Sequence, residues 1–408
     1  MRSKSVVVIG GGPAGMMAAG TAASRGHKVT LVDSNERLGR KLAITGNGRC
    51  NLTRNGDVDD LLKGVIRNRD FLRTAVFSLS SKNLMGFFLG LDLHTYADES
   101  GRVYPISGKA EDIVDALIRY LEKNKVQITR GSASAIIVEG GQVAGVVMKD
   151  REVKRCERVI LATGGRSYPE TGSTGDGYEM VRPMGHSIVD PNPCLVPLDL
   201  AGDIHLDLQG VSVSDVWIEI SDRDGKWIAG RKGDAIFTHF GISGPAVLKV
   251  SGDIPFDCKG YTLSMDLRPD DPPDAVTGML LDSFTGNPRK SVLNTLSMHF
   301  PRRIAGALIE SCGIDPNKNS NQVSKAERRC IQNRIKRFDL IIEGMRPVEE
   351  AVVTAGGVDV SEIDHLTMGS NLVKGLYFAG EVMDVHGTTG GYNLQIAFST
   401  GYLAGLNC

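Results

Sequence analysis

No Cys-x-x-Cys occurs anywhere in the 408 residues. The seven cysteines, Cys50, Cys156, Cys194, Cys258, Cys312, Cys330 and Cys408, are odd in number and widely spaced. That pattern argues against a disulfide framework, a zinc knuckle and a dithiol redox pair, so no metal site is expected and a reducing cytoplasm fits best. Excess charge is missing as well. The formal net charge is −1, which points to no obligate nucleic-acid or anionic-membrane partner. No apolar stretch reaches 18 residues, so no transmembrane helix and no membrane partner are expected. The apolar run that follows Met1-Arg2-Ser3-Lys4 is broken by three glycines and a proline, which suits strand–turn–helix and not a leader peptide. Glycine, in contrast, is abundant at 49 residues. In an α/β chain that excess marks turns brought close to a ligand, and the length leads to an expectation of two or three domains.

The first 33 residues organise the rest. Val6-Val7-Val8-Ile9 reads as a buried strand, and Gly10-Gly11-Gly12-Pro13-Ala14-Gly15 follows at once. A helix of small residues runs from Met16 to Ala23, and Lys28-Val29-Thr30-Leu31-Val32 leads to Asp33. This is G-x-G-x-x-G in full strand–helix–strand context with an acidic residue closing the second strand. Gly10 permits the tight turn, Gly12 lets backbone approach a pyrophosphate, and Gly15 lets the helix pack against the sheet. The helix N-terminus faces the phosphates, and Asp33 accepts from ribose hydroxyls. Dinucleotide binding is the expectation.

The loop after Asp33 carries Ser34, then Arg40 and Lys41, placed to reach a pyrophosphate or ribose. Thr45-Gly46-Asn47-Gly48-Arg49-Cys50-Asn51 follows with no hydrophobic period, and its glycines suggest backbone packed against something flat. Cys50 reads as a small buried or pocket-lining residue in preference to a redox thiol. Short helices are expected over 55–93, a hairpin over 95–105 and an amphipathic helix over 110–124. A third parallel strand is read at 126–129. A hairpin of 134–139 and 143–148 turns over Gly140-Gly141. Arg158-Val159-Ile160-Leu161 is a strand ending in the turn Ala162-Thr163-Gly164-Gly165. Ser173-Thr174-Gly175-Asp176-Gly177 opens a short helix, either as a cap or as a second approach to the ligand.

Prolines at 191, 193 and 197 mark a composition shift. Residues 198–267 alternate like an antiparallel β domain, and 268–342 turn helical and cationic. The basic stretch 328–337 reads as a solvated helix face. Strands return at 349–360. The closing segment pairs a strand, Leu376-Tyr377-Phe378-Ala379-Gly380-Glu381, with Asp384, Gly387 and Gly390-Gly391-Tyr392-Asn393-Leu394-Gln395, then a small-residue helix over 396–406. That helix N-terminus is aimed at a ligand, and its dipole suits the negative charge of a reduced flavin.

Thr45 to Asn51, Ser167-Tyr168-Pro169-Glu170-Thr171-Gly172-Ser173-Thr174-Gly175-Asp176-Gly177 and Gly390 to Gln395 together resemble the bacterial HI0933-like family of FAD-dependent oxidoreductases, within the two-dinucleotide-binding flavoproteins. The resemblance covers essentially the whole chain. It implies an α/β fold with a discontinuous Rossmann-like FAD domain over 1–192 and 346–408. It also implies an inserted, mostly antiparallel β domain over 193–268 and a helical cap over 269–345. By motif it implies that Gly10, Gly12, Pro13, Ala14, Gly15, Asp33 and Ser34 hold the ADP part and that Ala133 offers backbone to adenine. Arg40, Lys41, Thr45, Gly46, Asn47, Gly48, Arg49, Cys50 and Asn51 are placed along the cofactor. Ala162, Thr163, Gly164, Gly165 and Thr174 return to it. Gly380, Glu381, Asp384, Gly390, Gly391, Tyr392 and Asn393 serve ribitol and flavin.

The family shares no single substrate: some members resemble amine or amino-ketone oxidases, others enone reductases. The leading expectation is hydride transfer between a small organic substrate and non-covalent FAD. No second G-x-G-x-x-G lies between a strand and a helix, so a dedicated nicotinamide domain is not expected. NAD(P)H docking transiently, dioxygen and another acceptor all stay open. The alternatives are an oxidase of amines or amino ketones, a tRNA-modifying flavoprotein supported only by the basic stretch 328–337, and a non-catalytic flavin redox sensor. No catalytic acid or base is assigned. Tyr168, His239, His386 and Tyr392 are the candidates, and position alone suffices for much hydride chemistry.

Overall fold

Val6, Val7, Val8 and Ile9 are all buried, as a parallel strand covered on both faces requires. Their strand, Ser5–Ile9, is the centre of a five-stranded sheet in the computed structural model, which describes residues 2–408. The order is Leu376–Phe378, Arg158–Leu161, Ser5–Ile9, Lys28–Asp33, Gln127–Arg130, and every pairing is parallel. Val7 lies opposite Val159 on one side and Thr30 on the other. The small residues of the first helix, Pro13–Ser24, and of the C-terminal helix, Tyr392–Asn407, have a packing reason. A Cβ on Gly401 would stand 2.3 Å from the Ala14 carbonyl oxygen, and one on Gly405 2.6 Å from that of Ala18. The two helices therefore meet backbone to backbone. The C-terminal helix begins four residues earlier than its apolar pattern suggests, because Gly391 at φ +95° turns the chain directly into it.

Two three-stranded sheets attach to this body. Ala133–Glu139 and Gln142–Met148 form the expected hairpin, joined by Gly140 and Gly141, both at positive φ as a two-residue hairpin turn requires. Val153–Arg155 adds a third strand. Thr53–Arg54, Arg102–Pro105 and Thr95–Ala97 form the other sheet, in that order. The amphipathic helix is Ala110–Lys123 and buries Ile113, Val114, Leu117 and Leu121.

The chain divides into two compact units, Met1–Pro193 with Val348–Cys408, and Cys194–Pro347. The second is built on a closed six-stranded antiparallel barrel ordered Leu198–Leu200, Gly241–Ser243, Trp227–Phe237, Ser212–Ser221, Thr262–Asp266, Phe338–Met345. Closure leaves no strand edge unpaired. Val216, Ile218 and Ile220 point inward while Trp217 is partly exposed, the alternation read from the sequence.

The helices expected as a separate cap over 269–345 do not stand apart. Pro273–Gly286, Arg302–Glu310 and Lys325–Lys336 share one apolar core with the barrel, through Leu280, Ile304, Leu308, Ile331 and Ile335. Phe338–Met345, inside the stretch assigned to the cap, closes the barrel by pairing with Thr262–Asp266 and Leu198–Leu200. A second expectation also changes. Cys312 and Cys330 form a disulfide, 18 residues apart in sequence with Cα atoms 5.9 Å apart. The connection after Arg302–Glu310 folds back and sets Cys312 beside the middle of Lys325–Lys336, a proximity that spacing does not reveal. The other five cysteines are buried and take no part in a disulfide. Cysteine usage therefore no longer argues for a reducing compartment. No helix among the described residues is long and apolar enough to cross a membrane.

Candidate functional site

The glycine turn is as tight as its sequence implies. Gly10 sits at φ +104°, and a Cβ there would stand 2.4 Å from the Ala162 carbonyl oxygen of the neighbouring strand. A Cβ on Gly15 would stand 1.8 Å from the Gly10 carbonyl oxygen. One on Gly12 would meet nothing within 4 Å, so this residue opens onto free space at the N-terminus of Pro13–Ser24. No side chain caps that helix, and its positive end is left for an anion. Asp33 accepts from the Gly11 N–H at 2.6 Å through Oδ2 and from the Asn35 N–H at 2.7 Å through Oδ1. Each oxygen keeps a second lone pair for a ribose hydroxyl. The Gly131 N–H donates to the Asp33 carbonyl, which brings buried Ala133 to the same end of the sheet. Ser34 and Arg40 are exposed there.

Lys41 turns elsewhere. Its Nζ donates to Ser167 Oγ at 2.7 Å and Glu381 Oε2 at 3.0 Å. Glu381 Oε1 accepts from the Thr354 N–H at 2.7 Å and from Ser167 Oγ at 3.2 Å, while Thr354 Oγ1 accepts from the Arg166 and Ser167 N–H groups. Burial pushes the Glu381 carboxyl up, but the Lys41 ammonium and the Thr354 N–H outweigh it and hold the carboxyl below its usual range. This knot ties four distant segments around the cofactor motifs. A Cβ on Gly165 would stand 2.3 Å from Thr354 Oγ1, so that glycine makes room for it. Thr354 and Ser167 were not singled out from sequence. Ser167 lies in a family-like motif, and nothing in the sequence around Thr354 marks it.

The loop between Thr45 and Asn51 is a chain of left-handed residues, with Gly46, Asn47, Gly48 and Cys50 all at positive φ. Thr45 Oγ1 donates to the Lys41 carbonyl, and the Cys50 N–H donates to the Thr45 carbonyl. Cys50 is fully buried, and desolvation pushes its thiol up to about 12, which makes it inert as expected. Arg49 lies over the Tyr104 ring, 5.1 Å from its centroid.

At the other end, Gly390 and Gly391 lead into Tyr392–Asn407, which again has no side-chain cap. A Cβ on Gly391 would stand 2.5 Å from the Thr53 carbonyl carbon. Asn393 is spent on the loop before it, accepting from the Gly387 N–H and donating to the Gly387 and Thr388 carbonyls. The Tyr392 ring covers Gly64. Asp384 is buried and accepts from Arg67 Nε at 2.6 Å and Asn68 Nδ2 at 3.1 Å. Asn68 also lines a groove of about 400 Å³ with Ile66, Arg69, Asp70 and Phe71. Burial holds the His386 imidazole below its ordinary range, so it is neutral at neutral pH.

The Ala162–Gly165 turn carries Thr163, whose Oγ1 would stand 2.1 Å from a Cβ on Gly177. Tyr178 follows, its phenol held protonated by burial. Asp176 does not cap its helix: it bonds Thr174 Oγ1 and Lys149 Nζ. Tyr168 stands at φ +54° and donates its N–H to the Glu349 carbonyl. His239 belongs to the second unit, exposed on a barrel turn beside Phe240.

Eight buried side-chain N or O atoms among the described residues have no hydrogen-bond partner. Five lie in or next to these motif stretches: Asn51 Oδ1, Thr163 Oγ1, Tyr178 Oη, Asp384 Oδ1 and His386 Nδ1. Buried polar atoms are bonded in the great majority of cases. Together with two uncapped helix ends and an open Gly12, they fit a large, hydrogen-bonding dinucleotide with a polar ring.

The HI0933-like protein Rossmann domain model matches residues 4–407. The chain is 30% identical to the ribosomal RNA dihydrouridine synthase of Escherichia coli (strain K12), over 98% of this chain and 97% of that one. It is 31% identical to the 3-dehydro-bile acid delta(4,6)-reductase of Clostridium scindens, over 98% and 97%. The 3-ketosteroid delta1-dehydrogenase of Sterolibacterium denitrificans superposes with TM-score 0.54 at 13% identity, covering 99% of each chain, a likeness of fold alone. With a ribosomal RNA enzyme among the full-length relatives, the expectation of no nucleic-acid partner loses its support.

Proposed function

The chain belongs to the HI0933-like family and is an FAD-dependent oxidoreductase; on that premise we propose that it reduces a carbon–carbon double bond conjugated to a carbonyl group. The names of the two full-length relatives describe that chemistry on unlike skeletons. Dihydrouridine is uridine with two hydrogens added across the ring double bond beside a carbonyl. A 3-dehydro-delta(4,6) steroid carries its ketone conjugated to the double bonds reduced. At 30% and 31% identity, neither relative is favoured over the other.

The observation that carries the reading is the chemistry shared by the two full-length relatives, and the five partnerless polar atoms in or next to the motif stretches support a bound cofactor. FAD held here, once reduced, would supply a hydride for the β-carbon of the substrate, and a proton would go to its α-carbon. Gly12 and the first turn of Pro13–Ser24 would hold the pyrophosphate, and Asp33 the ribose. The N-terminal turn of Tyr392–Asn407 would hold negative charge. Asn51, Thr163 and Asp384 offer free acceptor atoms for polar edges. Tyr178 and His386 each carry a proton at neutral pH and an atom without a partner, which makes them the candidate proton donors. Reduction of a double bond needs an electron donor, and NADH or NADPH docking transiently would fill that role without a dedicated nicotinamide domain.

The test is an anaerobic absorption experiment. NADH or NADPH is expected to bleach the flavin bands, and a steroidal 4-en-3-one or a uridine-containing RNA to restore them. Bands untouched by either nicotinamide, or restored by air with peroxide but by no conjugated acceptor, would move the protein to the oxidase class.

A further inference from the structure

One face of the small sheet Thr53–Arg54, Arg102–Pro105, Thr95–Ala97 has no use in the scheme above. Side chains alternate along a strand, and residues directly opposite share a face. Thr53, Val103 and Pro105 point inward and are buried. Arg54 lies opposite Arg102, and Tyr96 opposite Tyr104, on the outward face. The Tyr96 and Tyr104 rings are 6.0 Å apart between centroids. Arg49 lies over Tyr104, and Arg54 lies 5.9 Å from the centroid of Tyr392. A Cβ on Gly390 would stand 4.0 Å from Arg102 Nε. The platform thus adjoins the N-terminus of Tyr392–Asn407.

Two guanidinium groups directly opposite each other destabilise an antiparallel pair. The usual remedy is a carboxylate, and no carboxylate among the described residues forms an ion pair with Arg49, Arg54 or Arg102. The nearby carboxylates attract Arg54 and Arg102 through space, but their hydrogen bonds go to other groups. Asp60 pairs with Lys63, and Asp98 accepts from the backbone N–H groups of Ser100 and Arg102 in its own turn. Arg54 and Arg102 are therefore interleaved with the rings of Tyr96 and Tyr104 on one surface, beside Arg49 and Tyr392 of the cofactor motifs, and the nearby carboxylates Asp60 and Asp98 reach the two cations only through space, without an ion pair.

We infer that this face docks a single-stranded stretch of RNA, with phosphates on Arg54 and Arg102 and a base stacked on Tyr104. Such interleaving is what a strand with alternating charge and flat rings matches. A uracil reduced at its ring double bond must leave its stack to lie against a flavin, so the strand is unpaired where it binds. The inference rests on the reductase reading for its choice of a uracil-bearing strand.

The experiment uses FAD-loaded protein and a fluorescein-labelled oligouridylate of about 12 nucleotides, a length within the usual single-strand site range. Anisotropy is followed across salt concentrations, with the flavin spectrum confirming that each variant keeps its cofactor. The Arg54→Gln, Arg102→Gln double variant is expected to bind at least tenfold more weakly at about 0.1 M salt. Its slope of log K against log salt should be shallower by about 1.4, the loss of two phosphate contacts. Tyr104→Leu is expected to lose about tenfold with an unchanged slope, and Arg102→Lys to keep the slope. Absence of binding by the unaltered protein would overturn the inference. So would binding indifferent to these substitutions, or an RNA duplex bound as tightly as the single strand. If oligonucleotide binding fails while an enone is still reduced, the docking face falls and the reductase reading stands. If arginine-dependent binding persists while neither an enone nor the uracil of RNA is reduced, the docking face stands and the reductase reading falls.

Discussion

Replacing Gly12 by valine separates a cofactor role from a folding role, because the three motif glycines face different surroundings. At Gly12 the backbone is extended (φ −76°, ψ −177°), which valine adopts readily, and a Cβ would touch nothing. The substitution removes no packing and adds no clash. By the glycine-substitution rule, apo stability changes by no more than about 1 kcal/mol, with a gain from the stiffer unfolded chain as the expected sign. The branched side chain fills the space a pyrophosphate needs, so flavin is lost. Gly10→Ala is the control with the opposite failure. Its φ of +104° and the 2.4 Å approach to the Ala162 carbonyl oxygen add strain and overpacking of about 2–4 kcal/mol. The assay is the flavin-to-protein absorbance ratio together with thermal unfolding, with and without added FAD. Unaltered protein gains about 2.7 kcal/mol when FAD is present at a hundredfold over Kd. Gly12→Val should gain nothing, and Gly10→Ala should unfold early in both conditions. A Gly12→Val protein that keeps stoichiometric flavin, or whose apo form melts like Gly10→Ala, would refute the reasoning.

Lys41→Met removes the cation that holds the Glu381 carboxyl down. Both side chains are about a quarter exposed, so the expected loss is about 1–3 kcal/mol at about pH 7, below that of a fully buried pair. In the unaltered protein the depressed carboxyl contributes stability above the unfolded carboxylate pKa, and that contribution is lost as pH falls through the folded value. Without Lys41, burial dominates and raises the carboxyl, so the deficit should shrink as pH falls toward about 5; urea unfolding at both pH values checks this, and a pH-independent deficit contradicts it. Thiol titration of denatured protein should give five reactive groups without reductant and seven after reduction, since only Cys312 and Cys330 are joined. Reduction should lower stability by up to about 3 kcal/mol for a loop of this length, measured as a fall in Tm. Seven thiols without reductant would contradict the pairing.

Much of the local geometry was legible because neighbours along the chain set it. Gly10, Gly12 and Gly15 lie within six residues, and what they do follows from one turn of backbone between a strand and a helix. The hairpin over Gly140 and Gly141 and the buried thiol of Cys50 were readable for the same reason. Contacts between segments far apart in the chain were not readable. Lys41 was expected to face phosphate or ribose, but it meets Glu381 across 340 residues, beside Ser167 and Thr354. Asn393 was expected at the flavin, but its amide closes the Gly387–Thr388 loop. The strand Phe338–Met345 alternates in its own right, yet only its partners in the barrel show that it is not part of a cap.

By itself the sequence determined the strand–helix–strand start, the alternation of the barrel strands and the family to which the chain belongs, since periodicity and motif spacing are properties of neighbours along the chain. Tertiary structure decided which charges neutralise one another, which cysteines pair, and which polar atoms are buried without a partner. These depend on distances through space, and burial in a low dielectric makes such distances decide charge state and reactivity. Arg54 and Arg102 lie 48 residues apart in sequence and directly opposite each other in the sheet, so only the fold reveals that these two cations face each other.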